Sequence, residues 1–180
     1  ICDAAVESAM ECSRTQRRAG KLLKDHQLIQ LKINEMHALT ETLLLFAARD
    51  DHVRAALEPA LAAGPWVPCD RFTDATFAYQ GGGKGVPAAL IAHLAQVSHN
   101  GLMPDLTLVF DCPYEVSRER LGRTGRAPDR FEREDHAFFD RVRQSYLGLA
   151  RADAERIRIV DAVGSVGDIK KVIQQELATI

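Results

Sequence analysis

No apolar run in this 180-residue chain approaches the roughly 20 residues that a membrane-spanning helix requires. The first residues lack a basic start followed by an apolar stretch, so no secretory signal is expected. The chain opens on Ile1 rather than Met, and the native start is expected upstream. The four cysteines, Cys2, Cys12, Cys69 and Cys112, form no CxxC pair, which removes the usual zinc and redox spacings. Cys69 and Cys112 each end an apolar stretch, so buried free thiols in a reducing cytoplasm are expected. There is no excess of positive charge: 23 Lys and Arg face 25 Asp and Glu, for a net charge of −2. That balance argues against nucleic acid or a membrane surface as partner. No internal repeat is visible. What remains, at 46% hydrophobic and 27% charged residues, is an ordinary globular composition on a chain long enough for one domain.

The first 35 residues differ in character from the rest and hold three of the six lysines. Ala4–Met10 and Arg17–Gln30 can be helical, and Leu28–Ile33 can equally be a short strand. From Met36 the pattern sharpens. Thr40 is placed to cap a helix whose apolar face is Leu43, Leu44, Ala47, Ala48, Val53 and Leu57. Gly64-Pro65 ends it. Trp66–Asp70 is predicted to be a short buried strand, and Tyr79–Gly85, with four glycines in its last five positions, a loop. Helices are predicted over 88–97, 114–121, 131–149 and 166–177, and strands over 105–111 and 157–161. Strands alternating with helices mean α/β with a parallel sheet.

Open α/β sheets bind ligands at the carboxyl ends of their strands. Two predicted strands end in carboxylates, Asp70 and Asp111, and Arg71 follows the first. A carboxylate beside a guanidinium can hold a metal-bound water while the arginine grips a phosphate. The same pair can equally be a surface ion pair that closes a strand. Thr76, Tyr79 and Gln80 follow, with hydroxyl and amide groups suited to a sugar or a base. Phe46 and Arg49 sit three apart on one helix and share a face, where they can stack a base and bond its edge, or serve as core and solvated surface. Arg120, Arg123, Arg126 and Arg130 put four arginines in eleven positions, the composition of a basic lid or of a solvated charge run. Gly81-Gly82-Gly83-Lys84-Gly85 is not a Walker A loop: Ala78 stands where the first Gly belongs and Gly85 where Ser or Thr belongs.

Together these segments resemble the bacterial thymidylate kinases from Met36 to Ile180. The matching runs are Thr40–Arg49, Trp66–Phe72, Thr76–Gly85, Pro104–Leu108, Asp129–Glu132, Phe138-Phe139 and Tyr146-Leu147. The resemblance implies a P-loop-kinase-like parallel sheet flanked by helices. It implies phosphorylation of dTMP to dTDP by ATP with magnesium, in a cytoplasmic homodimer. Phe46 would stack on thymine and Arg49 would bond its edge. Arg71 would hold the monophosphate, and Asp70 would sit near magnesium, through water. Thr76, Tyr79 and Gln80 would line the thymidine pocket, and Arg123 and Arg126 would be lid arginines on ATP.

The departure from the family lies at the N-terminal end. Residues 1–35 form an atypical segment ahead of a thymidylate-kinase-like domain at 36–180. The family's first strand and phosphate-binding loop are missing or altered, and the Walker lysine has no counterpart. Little turnover by this chain is therefore expected. The alternative is a non-catalytic relative that binds a pyrimidine nucleotide as a regulatory module. The slot of the family's central strand would be filled by part of residues 1–35 or by chain outside this sequence.

Overall fold

A computed structural model describes residues 2–64, 66–123 and 136–179. The chain divides into two compact units. The first comprises Ile1–Asp70 and Val86–Leu102, the second Arg71–Gly85 and Met103–Ile180.

The first unit is helical. Helix α1 (Cys2–Thr15) leads into a hairpin of two short strands, β1 (Arg17–Arg18) and β2 (Lys21–Leu22). Ala19 and Gly20 turn that hairpin with φ of 50° and 79°. Two central residues at positive φ suit the right-handed twist of a tight hairpin. A single turn of 3₁₀ helix, Leu23–Asp25, precedes the 26-residue α2 (Gln27–His52). A widened turn over Val53–Leu57 and the short α3 (Glu58–Ala62), with Pro59 in its first turn, complete the run. Helix α5 (Ala88–His99) packs against α2. Their buried residues are Ala38, Thr40, Thr42 and Phe46 on one side and Ile91, Ala95 and His99 on the other.

Several expectations are corrected here. Residues 28–33 are helix, not strand, and Thr40 is a buried interior residue of α2 rather than its cap. The helix starts 13 residues earlier because the chain folds back through the hairpin and lays α1 along α2. Leu43 and Leu44 are exposed, so the buried face is Thr42, Phe46, Val53 and Leu57. Trp66–Asp70 is neither strand nor buried: Trp66, Pro68, Cys69 and Asp70 are exposed. Pro68 has no N–H for a ladder, and no strand among the described residues lies beside the segment. The thiols are not buried: Cys2, Cys12 and Cys69 are exposed and Cys112 is half-buried, all unpaired with one another.

The second unit is α/β. Strand β3 (Thr107–Asp111) runs parallel to β4 (Ile157–Asp161), in register from Thr107 opposite Ile157 to Asp111 opposite Asp161. Helices α6 (Tyr114–Arg123), α7 (His136–Ala152) and α8 (Val166–Leu177) surround them in sequence. Ser165 caps α8, its hydroxyl accepting from the Asp168 N–H at 3.2 Å. The described parallel sheet is β3 and β4 alone. Residues 2–35 do not enter it, so of the two ways expected to fill its central position, part of residues 1–35 or chain outside this sequence, the first is not seen among the described residues.

The glycine run is the largest correction. Helix α4 (Thr73–Thr76) continues as a widened helix over Phe77–Gly83, where a loop was expected. The Lys84 N–H donates to the Tyr79 carbonyl, five residues back, at 3.1 Å. Glycine weakens an isolated helix, but this one lies hard against α7. A Cβ on Gly82 would stand 2.5 Å from the Ser145 Cβ, and one on Gly83 2.5 Å from the Phe138 ring. Close approach, not flexibility, requires glycine here. Ala78, Phe138 and Val142 are the buried centre of that contact, with Tyr79, Phe139 and Tyr146 around it.

Candidate functional site

Arg71 opens the second unit with φ of 61°, in the left-handed region that a side-chain-bearing residue seldom occupies. Its guanidinium carbon lies 5.1 Å from the centre of the Tyr79 ring. A cation over an aromatic face is held by the ring's quadrupole. Helix α4 and its extension carry Thr76 and Gln80 inward, both 2% exposed. The Gln80 amide nitrogen is buried without a hydrogen-bond partner among the described residues. An amide donor placed so costs stability unless something accepts from it.

Asp74, also in α4, does the opposite job. Its carboxylate takes hydrogen bonds from Arg156 at 2.7 and 3.0 Å and from the Thr107 hydroxyl at 2.9 Å. Arg156 also donates to Asp153 at 2.7 Å. The Asp74 hydrogen bond raises the guanidinium's already high pKa. This network ties α4 to the residues at the start of β3 and β4.

The carboxyl end of β3 opens on a cleft of about 330 Å³. Tyr79, Asp111, Tyr114, Arg118, Arg143 and Tyr146 are among its walls. Arg143 grips Asp111 in a two-pronged pair at 2.6 and 2.7 Å, and that bond holds the Asp111 carboxyl below the usual range. Arg120 donates to the carbonyls of Ala162 at 2.5 Å and Val163 at 2.8 Å, fastening α6 to the turn after β4. Arg123 is exposed at the end of α6 and pairs with Glu119 at 2.6 Å. Arg126 lies outside the described residues, as do positions 124–135 of the basic segment.

In the first unit, Phe46 is 2% exposed. The Arg49 guanidinium sits 5.0 Å from its ring centre, so the shared face read from their spacing is present. His99 stacks on the same ring. Burial draws the Arg49 pKa down, and the nearby Cys69 thiol partly restores it. Asp70 is exposed. Among the described residues no three His, Cys, Asp or Glu side chains gather to hold a metal. A lone carboxylate suits an ion that keeps its waters and takes further ligands from phosphates, as magnesium does.

Sequence reasoning missed the Asp74–Arg156 network, the Arg143 partner of Asp111 and the stacking of His99. Asp111 itself was readable as a strand-end carboxylate. The others are contacts between segments far apart in the chain, and no local pattern announces them.

The comparisons with known proteins agree with this architecture. The family model described as thymidylate kinase matches residues 12–173, beginning upstream of the motifs. A thymidylate kinase of Cupriavidus metallidurans is 47% identical over 167 residues, covering 92% of this chain and 83% of that protein. One from Bordetella pertussis is 52% identical over 147 residues, 81% of this chain and 70% of that protein. The crystal structure of a thymidylate kinase from Ehrlichia chaffeensis superposes with a TM-score of 0.61 at 21% identity, over 98% of this chain and 89% of that one, a likeness of fold. On the extent and identity of these matches, the chain belongs to the thymidylate kinase family.

Proposed function

We propose that this chain binds dTMP and serves its phosphorylation to dTDP by ATP. The observation that carries the reading is Arg71, held in a strained backbone conformation over Tyr79 and directly ahead of the buried Thr76 and Gln80. Strain of that kind persists where a side chain must be aimed. Arg71 holds the monophosphate, since a guanidinium fork matches two phosphate oxygens. The unpartnered Gln80 amide and the Thr76 hydroxyl bind the nucleoside. In the first unit Phe46 and Arg49 receive the pyrimidine. The guanidinium now resting on the Phe46 ring must move toward the base edge for a thymine to stack there.

Magnesium, brought with ATP, neutralises charge on the phosphates, and Asp70 meets it through water. Arg123 and Arg126 add positive charge from the basic segment. The protein is cytoplasmic and pairs with a second copy. Leu28, Leu31, Leu43 and Leu44 leave apolar surface on α2, which suits a homodimer. No helix among the described residues is long and apolar enough to cross a membrane, and nucleic acid is not a partner.

The alternative reading is a relative that binds the nucleotide without turning it over. Titration calorimetry with dTMP, beside an assay for ADP release, separates the two. Binding with turnover supports the kinase and binding alone the regulatory module. No binding at any concentration up to millimolar defeats both. Arg71→Met should weaken dTMP about tenfold or more while leaving thymidine affinity unchanged, the loss of one charge-assisted phosphate contact.

A further inference from the structure

His99 ends α5 and is 4% exposed. Its imidazole stacks on the Phe46 ring with centroids 6.2 Å apart and planes 24° from parallel. The Phe46 ring therefore has an imidazole and the Arg49 guanidinium against it. The charged groups of α2 that act on His99 are Arg49 and Asp50, and burial is the largest influence. Burial and Arg49 both favour the neutral ring, and a backbone hydrogen bond at His99 and then Asp50 oppose them more weakly. A neutral imidazole is a flat, rigid backing for Phe46. A protonated one would be a second cation beside Arg49 in surroundings of low polarity, where like charges repel strongly.

We infer that His99 is a positioning residue for the pyrimidine: its neutral ring fixes the Phe46 plane, and a proton on it repels Arg49 from its place at the base edge and weakens nucleotide binding in acid. This rests on the assignment of Phe46 and Arg49 to the base. The one chemical step is a proton transfer: a ring nitrogen's lone pair takes a proton from hydronium, an N–H bond forms, an O–H bond breaks, and water is left.

The test uses the full chain and His99→Phe, which keeps an aromatic plate and cannot titrate. Affinity for dTMP is measured at about pH 7.5 and about pH 5.5 in both. The ligand's own phosphate ionisation is common to the two proteins and cancels in their ratio. The wild-type affinity should fall further than that of His99→Phe, by less than about tenfold because a lowered midpoint leaves part of the ring neutral at the lower pH. Binding with equal pH profiles overturns the role of His99 and leaves the base assignment standing. Absence of dTMP binding at the higher pH overturns both. A ligand-free arm keeps the inference exposed to failure. In proton-carbon NMR the Phe46 ring signals should move with the His99 titration, at a midpoint below that of an ordinary histidine, and Arg49→Met should raise that midpoint. Phe46 signals indifferent to the His99 titration overturn the inference.

Discussion

Each unit of the molecule half-buries an arginine, and the two are treated in opposite ways. Arg156 in the second unit meets two carboxylates and a hydroxyl, and its partners stabilise its charge. Arg49 in the first unit lies on an aromatic ring, and its surroundings disfavour its charge. A buried ion whose bonds are satisfied holds elements in place. A buried ion whose environment works against it marks a place where a ligand can relieve the cost. The second unit's arginine therefore belongs to the scaffold, and the first unit's is the one proposed for the site.

The largest expected effect is on the scaffold. Arg156→Met leaves Asp74 buried and without its cation, and should cost about 3–5 kcal/mol. For a chain of this length that lowers the thermal midpoint by roughly 6–20 °C. A shift of under about 2 °C by circular dichroism would break the contrast between the two arginines.

Next in size is the glycine helix. Gly83→Ala forces a methyl into the Phe138 ring and should cost about 1–3 kcal/mol in urea unfolding, although alanine is normally the better helix former. Gly85, at φ of 77° with nothing within 4 Å of a built Cβ, should lose only about 1 kcal/mol as alanine. Equal losses at both positions would mean that backbone freedom rather than close packing explains the run.

Arg49→Met sharpens the comparison from the other side. Removing a cation that its surroundings disfavour should leave the unfolding free energy within about 1 kcal/mol, with a gain as admissible as a loss. The same change should weaken dTMP binding about tenfold to a hundredfold. A loss of stability matching that of Arg156→Met would make Arg49 scaffold as well.

The smallest effect concerns Asp111. Arg143 holds its carboxyl below the ordinary carboxylate value. The pair therefore contributes above about pH 4 and loses its contribution as pH falls through the folded-state value. Both side chains are partly open to solvent, so the contribution is under about 1 kcal/mol. Urea midpoints of wild type and Asp111→Asn should differ slightly near neutrality and converge near about pH 3. A gap that widens in acid would reverse the sign of the assignment.

Strand β4 and helix α8 have the bounds expected from the sequence, because β-branched residues fill the one and Ser165 with Asp168 caps the other. Strand β3 is two residues shorter than expected. The glycine run was misread because composition reports the cost of glycine in a helix and not the neighbour that demands it. Thr40 was misread because a threonine before an apolar stretch looks the same at a helix start and in its interior. In the site, Phe46 and Arg49 were legible because helical spacing alone brings them together. His99 was not, since its approach to Phe46 depends on how α5 lies across α2. Tyr79 under Arg71 needed the left-handed turn at Arg71, which no residue type signals.

Strands β3 and β4 bond only to each other among the described residues, and Phe110 is 53% exposed on β3. An exposed aromatic side chain on a strand is a surface that a second copy can cover. Shelf life in concentrated solution is then a matter of self-recruitment more than of unfolding. Turbidity that grows with concentration, well below the melting temperature, is how this molecule should spoil.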